Sequence, residues 1–175
     1  MDKLDIVTDE SGNEVVLLPE IIFSNKQNIN WNDVEDYLGK YVGELIEIAE
    51  TRDIIYIGNK FPDEYGGACY TRKTKGARAK AKANAAQGIR EMVEIATDKV
   101  YRENHKEKHS EDAHNGWFYY VTRFAIPLYN NEKKTGEYNV YSACLVVNHA
   151  ANGKMYLYDV VGIKKEASNP LKTIK

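Results

Sequence analysis

A histidine, an arginine, a lysine and four tyrosines follow residue 118, at His149, Arg123, Lys164, Tyr119, Tyr141, Tyr156 and Tyr158. Their types suit phosphoryl transfer without a metal. An imidazole that titrates near neutrality takes or gives a proton. A guanidinium grips a phosphate with two parallel hydrogen bonds, and an ammonium adds point charge against a crowded phosphorane. Tyrosine rings stack on bases or donate hydrogen bonds. RNA suits such a set because its own 2′-hydroxyl is the nucleophile, so neither metal nor cofactor is required. A bland alternative stands beside this one: exposed Tyr, Lys and Arg are common on sheets, and a single His at a hairpin end is often structural.

The elements that must position these groups lie between Asn115 and Lys165, where three runs rich in aromatic and β-branched residues are cut by turn signals. That is the pattern of an antiparallel meander. Asn152-Gly153 is a strong hairpin signal, since a type I′ turn needs positive φ at both central residues. With those two as the loop, Ala151 faces Lys154, His149 faces Tyr156, Val147 faces Tyr158 and Tyr141 faces Lys164. One face then carries Tyr141, Ala143, Leu145, Val147, His149, Tyr156, Tyr158, Val160 and Lys164, and is the place to look for chemistry. The other, with Val140, Ser142, Cys144, Val146, Met155, Leu157, Asp159, Val161 and Ile163, is core-like. In the preceding strand Phe118, Tyr120, Thr122, Phe124 and Ile126 read as the buried set, which leaves Tyr119 and Arg123 on the face of His149, Tyr158 and Lys164.

Upstream, Val15–Leu18 and Ile21–Phe23 read as edge strands around Pro19, and Asn30 or Asn32 caps a helix over 31–42. Residues 44–50 and 53–58 form a hairpin with its turn at Thr51-Arg52, and 61–72 read as loop. A long helix is expected over 75–101, with alanines on its apolar stripe and Arg72, Lys73, Lys75, Arg78, Lys80 and Lys82 in its first turns. That basic cluster is either a phosphate-contacting patch, with Arg78 and Lys82 among its contacts, or a solvated helix face. His105 and His109 stand four apart, but HKEKH places its Glu wrongly for a zinc motif and no third ligand accompanies it.

At 175 residues the chain reads as one domain, 31–175, preceded by an arm or edge strands over 1–30. The expected class is α+β, with helices packed on the antiparallel meander and a β-hairpin and helix extension at the amino-terminal side. No run reaches transmembrane length, the acidic opening is no signal peptide, and two cysteines point to a reducing cytoplasm. Charge is uneven: residues 1–50 hold three Lys/Arg against twelve Asp/Glu, whereas 51–175 hold 21 against 14. The basic remainder could meet a polyanion.

KHSEDAHNGW (108–117), RFAIP (123–127) and the run from Tyr138 to Glu166 resemble the phage MuF carboxy-terminal domain, a family grouped with the phage versions of the barnase, EndoU, colicin and RelE nucleases. The resemblance extends through AKANAAQGIREMVEIAT (81–97) and IIYIGNKFPDEY (54–65). It implies a barnase- or RelE-like RNase fold and a metal-independent RNA endonuclease of toxin or effector type, carried by phage or mobile elements. RNA is the implied partner, with a cognate immunity protein as a further one, and no cofactor, metal or membrane. By position it implies His149 or His109 as general base or acid, Arg123 and Lys164 stabilising the phosphorane, and Tyr158 with Tyr119 positioning base or phosphate. Tyr156, Tyr141, Arg78 and Lys82 complete the expected RNA contacts. The alternatives are a catalytically inactive module that binds RNA or protein, and a purely structural virion component.

Overall fold

The computed structural model describes residues 3–24, 28–68, 71, 73–103, 115–166 and 171–172. A hairpin of β1 (Ile6–Thr8) and β2 (Glu14–Leu17) opens the chain, its turn held by Asp9, whose carboxylate accepts from the N–H groups of Ser11 and Asn13 at 2.9 Å each. Helix α1 (Trp31–Leu38) starts where expected, with Asn30 Oδ1 accepting from Asn32 N and Asp33 N, and buries Val34 and Leu38. Strands β3 (Leu45–Glu47) and β4 (Ile54–Tyr56) form the expected hairpin, with Arg52 at φ 67° in its turn.

The segment read as loop begins as a helix, α2 (Phe61–Gly67). Pro62 lies in its first turn, where no backbone N–H is needed, and Asp63 and Glu64 complement the helix dipole there. The expected long helix is instead divided. It runs as α3 (Ala77–Ala85), a 3₁₀ turn at Ala86–Gly88 and α4 (Ile89–Glu94), after which Thr97–Arg102 is strand β5. Gly88 closes the 3₁₀ turn at the break. A Cβ there would lie 3.1 Å from Leu18 Cδ2 and 3.2 Å from Val16 Cγ1, so a larger residue would have to push these side chains aside where the helical segment packs on β2 and its end.

Long strands follow: β6 (Trp117–Asn130), β7 (Lys133–His149) and β8 (Met155–Lys165), with the short β9 (Leu171–Lys172) on the start of β7. Strands β6, β7 and β8 are the antiparallel meander read from the sequence. The expected class, helices on an antiparallel sheet of barnase or RelE type, is nevertheless overturned. The sheet order is β1-β2-β6-β7-β8-β4-β3, and β2 runs parallel to β6 while β4 runs parallel to β8. The meander is thus bracketed by parallel partners in a mixed, strand-rich sheet with short helices. Ile21–Phe23 forms no strand. Within the segment expected as an arm or edge strands, Glu14–Leu17 is a strand, and Val16 and Leu18 are fully buried in the main core.

The meander's turns also differ from expectation. Positive φ at both central residues occurs at Asn131-Glu132, between the paired Asn130 and Lys133. At the second turn Gly153 alone takes positive φ, 83°, while its N–H reaches Ala150 O and Ala150 N–H reaches Lys154 O. This is a three-residue loop ending in a left-handed glycine rather than a two-residue type I′ loop. The change slips the register by one, pairing His149 with Met155, Asn148 with Tyr156 and Val147 with Leu157. A one-residue slip moves side chains to the other face, and the expected faces fail accordingly. Tyr141, Ala143, Leu145, Val147 and Val160 join Leu157 and Ile163 in the main core, along with Tyr120 and Phe124. Two bulges, one between Val146 and Val147 and one between Ser142 and Cys144, shift the register again along β8.

Beneath this sheet Lys82 is fully buried on α3. Its Nζ lies 2.7 Å from Asp159 Oδ1 and 2.6 Å from Thr71 Oγ1, over the Tyr65 ring. Burial pushes the lysine's pKa down and raises that of Asp159 to about 6, even against their mutual attraction. Taking one partner away strands the other charge in the core. Lys82→Met should therefore destabilise by about 3–5 kcal/mol in urea denaturation, and the double change Lys82→Met/Asp159→Leu should recover most of that loss. Equal losses in single and double variants would contradict this account of the pair.

Candidate functional site

The residues expected to converge are divided by the sheet. Arg123, Ser142 and Lys164 form one cross-strand row, by the pairs Arg123–Ser142 and Ser142–Lys164. Tyr119 and Tyr158 lie on that same outer face, against Trp117 and Val146. Arg123 donates from Nε to Glu166 Oε1 at 3.0 Å, and Tyr119 lies under the guanidinium of Arg102 at 5.6 Å. His149, alternating with Val147, belongs to the inner face instead, so strand alternation separates it from Arg123, Lys164, Tyr119 and Tyr158.

Two of the expected RNA contacts are core groups. Tyr141 is buried and stacked on Phe124, centroids 5.5 Å apart and planes at 14°. Lys82 is locked in the ion pair with Asp159. Both rested on face assignments, of β7 and of the long helix, that tertiary structure reverses. Arg78 is exposed beside Lys73 and Lys75 at the start of α3, as a basic patch requires. His109 lies outside the described residues, as does His105.

The inner face supplies His149 with different neighbours. Its ring stands 5.5 Å from Phe118, and the same Phe118 ring receives Tyr101 at 5.3 Å and the ammonium of Lys99 at 4.3 Å. Lys99 Nζ is 2.8 Å from Asp53 Oδ2. Asp53 also accepts from the hydroxyls of Tyr120, at 2.7 Å, and Thr51, at 2.8 Å. Asp53 comes from the β3–β4 turn, at the far end of the sheet order from β5 and β6. The sheet must therefore curl over for Asp53 to reach Lys99 and Tyr120, and a bond from Asp98 N to Glu50 Oε2 at 3.1 Å closes the same seam.

The backbone fixes His149 as well. Its N–H donates to Gly116 O, its carbonyl accepts from Asn115 N–H, and Tyr101 O–H donates to Asn115 O at 3.0 Å. Gly116 has φ 97°, and an added Cβ would come within 2.7 Å of Arg102 O, so only glycine fits between β5 and β7 there. The arrangement presents a half-buried imidazole and a cation at the open end of the inner face.

A separate cleft of 310 Å³ opens at the same end of the sheet, between the start of β8 and the β4–α2 connection. Its wall includes Asn59, Lys60, Glu64, Asn148, Tyr156 and Tyr158. Register places Trp117, Asn148, Tyr156 and Tyr56 side by side across four strands.

Sequence reading missed Asp53, Lys99, Tyr120 and Asn148. Lys99 was hidden inside an expected helix and Tyr120 in an expected apolar face. Asp53 marked a turn and gave no sign of the strand it would meet. No family model, curated protein or solved structure matches the chain. Among the described residues no helix is long and apolar enough to cross a membrane.

Burial works to raise the pKa of Asp53, but hydrogen bonds from Lys99, Tyr120 and Thr51 outweigh it and hold the carboxyl below its ordinary 3.8. A depressed carboxylate contributes stability that is complete above the unfolded pKa and lost as pH falls through the folded one. Melting temperature should therefore drop as pH falls below about 4. Asp53→Asn should melt lower than wild type at neutral pH and converge toward it in acid. Parallel profiles for the two proteins would refute this role for Asp53.

Proposed function

We propose that the chain is a metal-independent RNA endonuclease whose chemistry centres on His149 at the open end of the inner face. The observation that carries this reading is the shared Phe118 ring, which holds the imidazole of His149 on one contact and the ammonium of Lys99 on another. A proton-transfer group and a cation for phosphate charge are what transesterification asks of a protein. In that step the 2′-oxygen bonds to the adjacent phosphorus and loses its proton. The bond from phosphorus to the 5′-oxygen breaks, and the leaving oxygen gains a proton. The products are a 2′,3′-cyclic phosphate and a 5′-hydroxyl. His149 carries one of the two protons. Lys99, oriented by Asp53, offsets the charge that builds on the phosphorane. Arg123 and Lys164 move from the expected active site to an outer basic row, where they contribute to binding the polyanion at most.

A second reading, an RNA-binding module without cleavage, is favoured by the separation of Arg123 and Lys164 from His149 across the sheet. RNA incubated with the protein in EDTA discriminates the two. Cleavage should persist without divalent ions, fall by roughly 10²-fold or more in His149→Ala, fall in Lys99→Met, and survive in Lys164→Met. Cleavage indifferent to His149→Ala, or absent from wild type, would overturn the proposal. Absence combined with salt-sensitive RNA binding would establish the second reading.

A further inference from the structure

Asn148 retains only 8% of its surface, and its Oδ1 has no hydrogen-bond partner. Buried amide oxygens are almost always satisfied, because an unpaired one forfeits its hydration for nothing. An acceptor with no partner within the chain can take a donor supplied from outside it. Asn148 lines the 310 Å³ cleft, a volume near the lower end of the roughly 300–1,000 Å³ of small-ligand sites; its Oδ1 is covered as it stands and meets a ligand there once the carboxamide turns toward the cleft.

We propose that this cleft is a nucleobase subsite for single-stranded RNA, in which Asn148 pairs with a base edge and Tyr156 lies against the base ring. A carboxamide offers an acceptor and a donor side by side, the pattern that base edges complement in bidentate fashion. The tyrosines are braced for stacking. Tyr156 rests against Tyr56 at 5.6 Å, and its hydroxyl accepts from Asn152 Nδ2 at 3.3 Å. Gly58 lies beside its ring, where an added Cβ would make ordinary contact with Tyr156 Cδ1 at 3.4 Å. Tyr158 meets Trp117 edge-on at 5.0 Å. Base stacking on such rings tolerates any sequence, and the amide adds the discrimination. Charge points to the base rather than the phosphate as occupant, because Lys60 and Glu64 give the lining opposite charges. Lys154, exposed and 5.0 Å from the centre of the Tyr56 ring, adds positive charge beside the base-stacking row, where the sugar-phosphate chain would run.

The subsite goes beyond the cleavage proposal and does not depend on it, since base binding needs no chemistry and Asn148 alternates with His149 across β7. The test titrates the full chain with the four nucleoside 5′-monophosphates and a short uncleavable 2′-O-methyl oligonucleotide, followed by calorimetry. At least one should bind saturably. Asn148→Leu should weaken that binding by about tenfold or more, with a melting temperature equal to or above wild type. Should Asn148→Leu fail to fold, Tyr156→Leu, at a half-buried position, takes its place with the same expected loss. No saturable binding, unchanged affinity in the folded variant, or preference for a glutamine-rich peptide over every nucleotide would each overturn the subsite.

Discussion

Asp53 holds the curl of the sheet closed, together with the bond from Asp98 N to Glu50 Oε2. Its carboxylate takes hydrogen bonds from Thr51 on its own turn, from Tyr120 on β6 and from Lys99 on β5, and so joins one end of the sheet order to the middle. Paired strands twist relative to one another, and the twist accumulates across a sheet. Without a contact at the far side, that twist would leave the β3–β4 hairpin splayed from β5. With it, the inner face becomes concave around α1, α2, α3 and α4, and its open end is lined by polar groups. His149 lies at that end as the last residue of β7.

Two buried or half-buried ion pairs share this interior and behave in opposite ways. Lys82 and Asp159 are sealed from water, and desolvation dominates both, drawing each toward its neutral form. Such a pair fixes which helix face meets β8 more than it stabilises the fold. Lys99 and Asp53 lie partly in solvent, with side-chain exposures of 31% and 18%. There the hydrogen bonds to Asp53 outweigh its desolvation and keep it charged. The Lys99 side chain is thus held in place by a charged carboxylate, 2.8 Å away.

The three long strands, the β3–β4 hairpin and the Asn30 cap were legible in the sequence because each is local: alternation, a turn signal and a capping side chain suffice. The mixed sheet was not. Parallel pairing of β2 with β6 and of β4 with β8 joins segments far apart in the chain, and no short-range pattern announces it. The faces of β7 and β8 were misread for a subtler reason. Asn152-Gly153 marks a hairpin correctly, yet the same dipeptide serves a two-residue loop and a three-residue loop ending in a left-handed glycine. The choice between them moves His149 from beside Tyr156 to beside Met155. Lys82 was misread because six basic residues within eleven positions look like one solvated face, whereas only the partner Asp159, far along the chain, reveals which of them turns inward.

The same end of the sheet thus offers His149 with Lys99 on one side and the Asn148 cleft on the other, a division that an RNA strand could span by placing phosphate and base on different faces. On the proposed function, phosphate chemistry belongs to the inner face. Its most direct measurement is an NMR titration with an uncleavable 2′-deoxy dinucleotide, following the His149 imidazole and the Lys99, Arg123 and Lys164 side chains. Saturable shifts at His149 and Lys99 should follow one binding curve. Shifts confined to Arg123 and Lys164, with His149 unmoved, would contradict it.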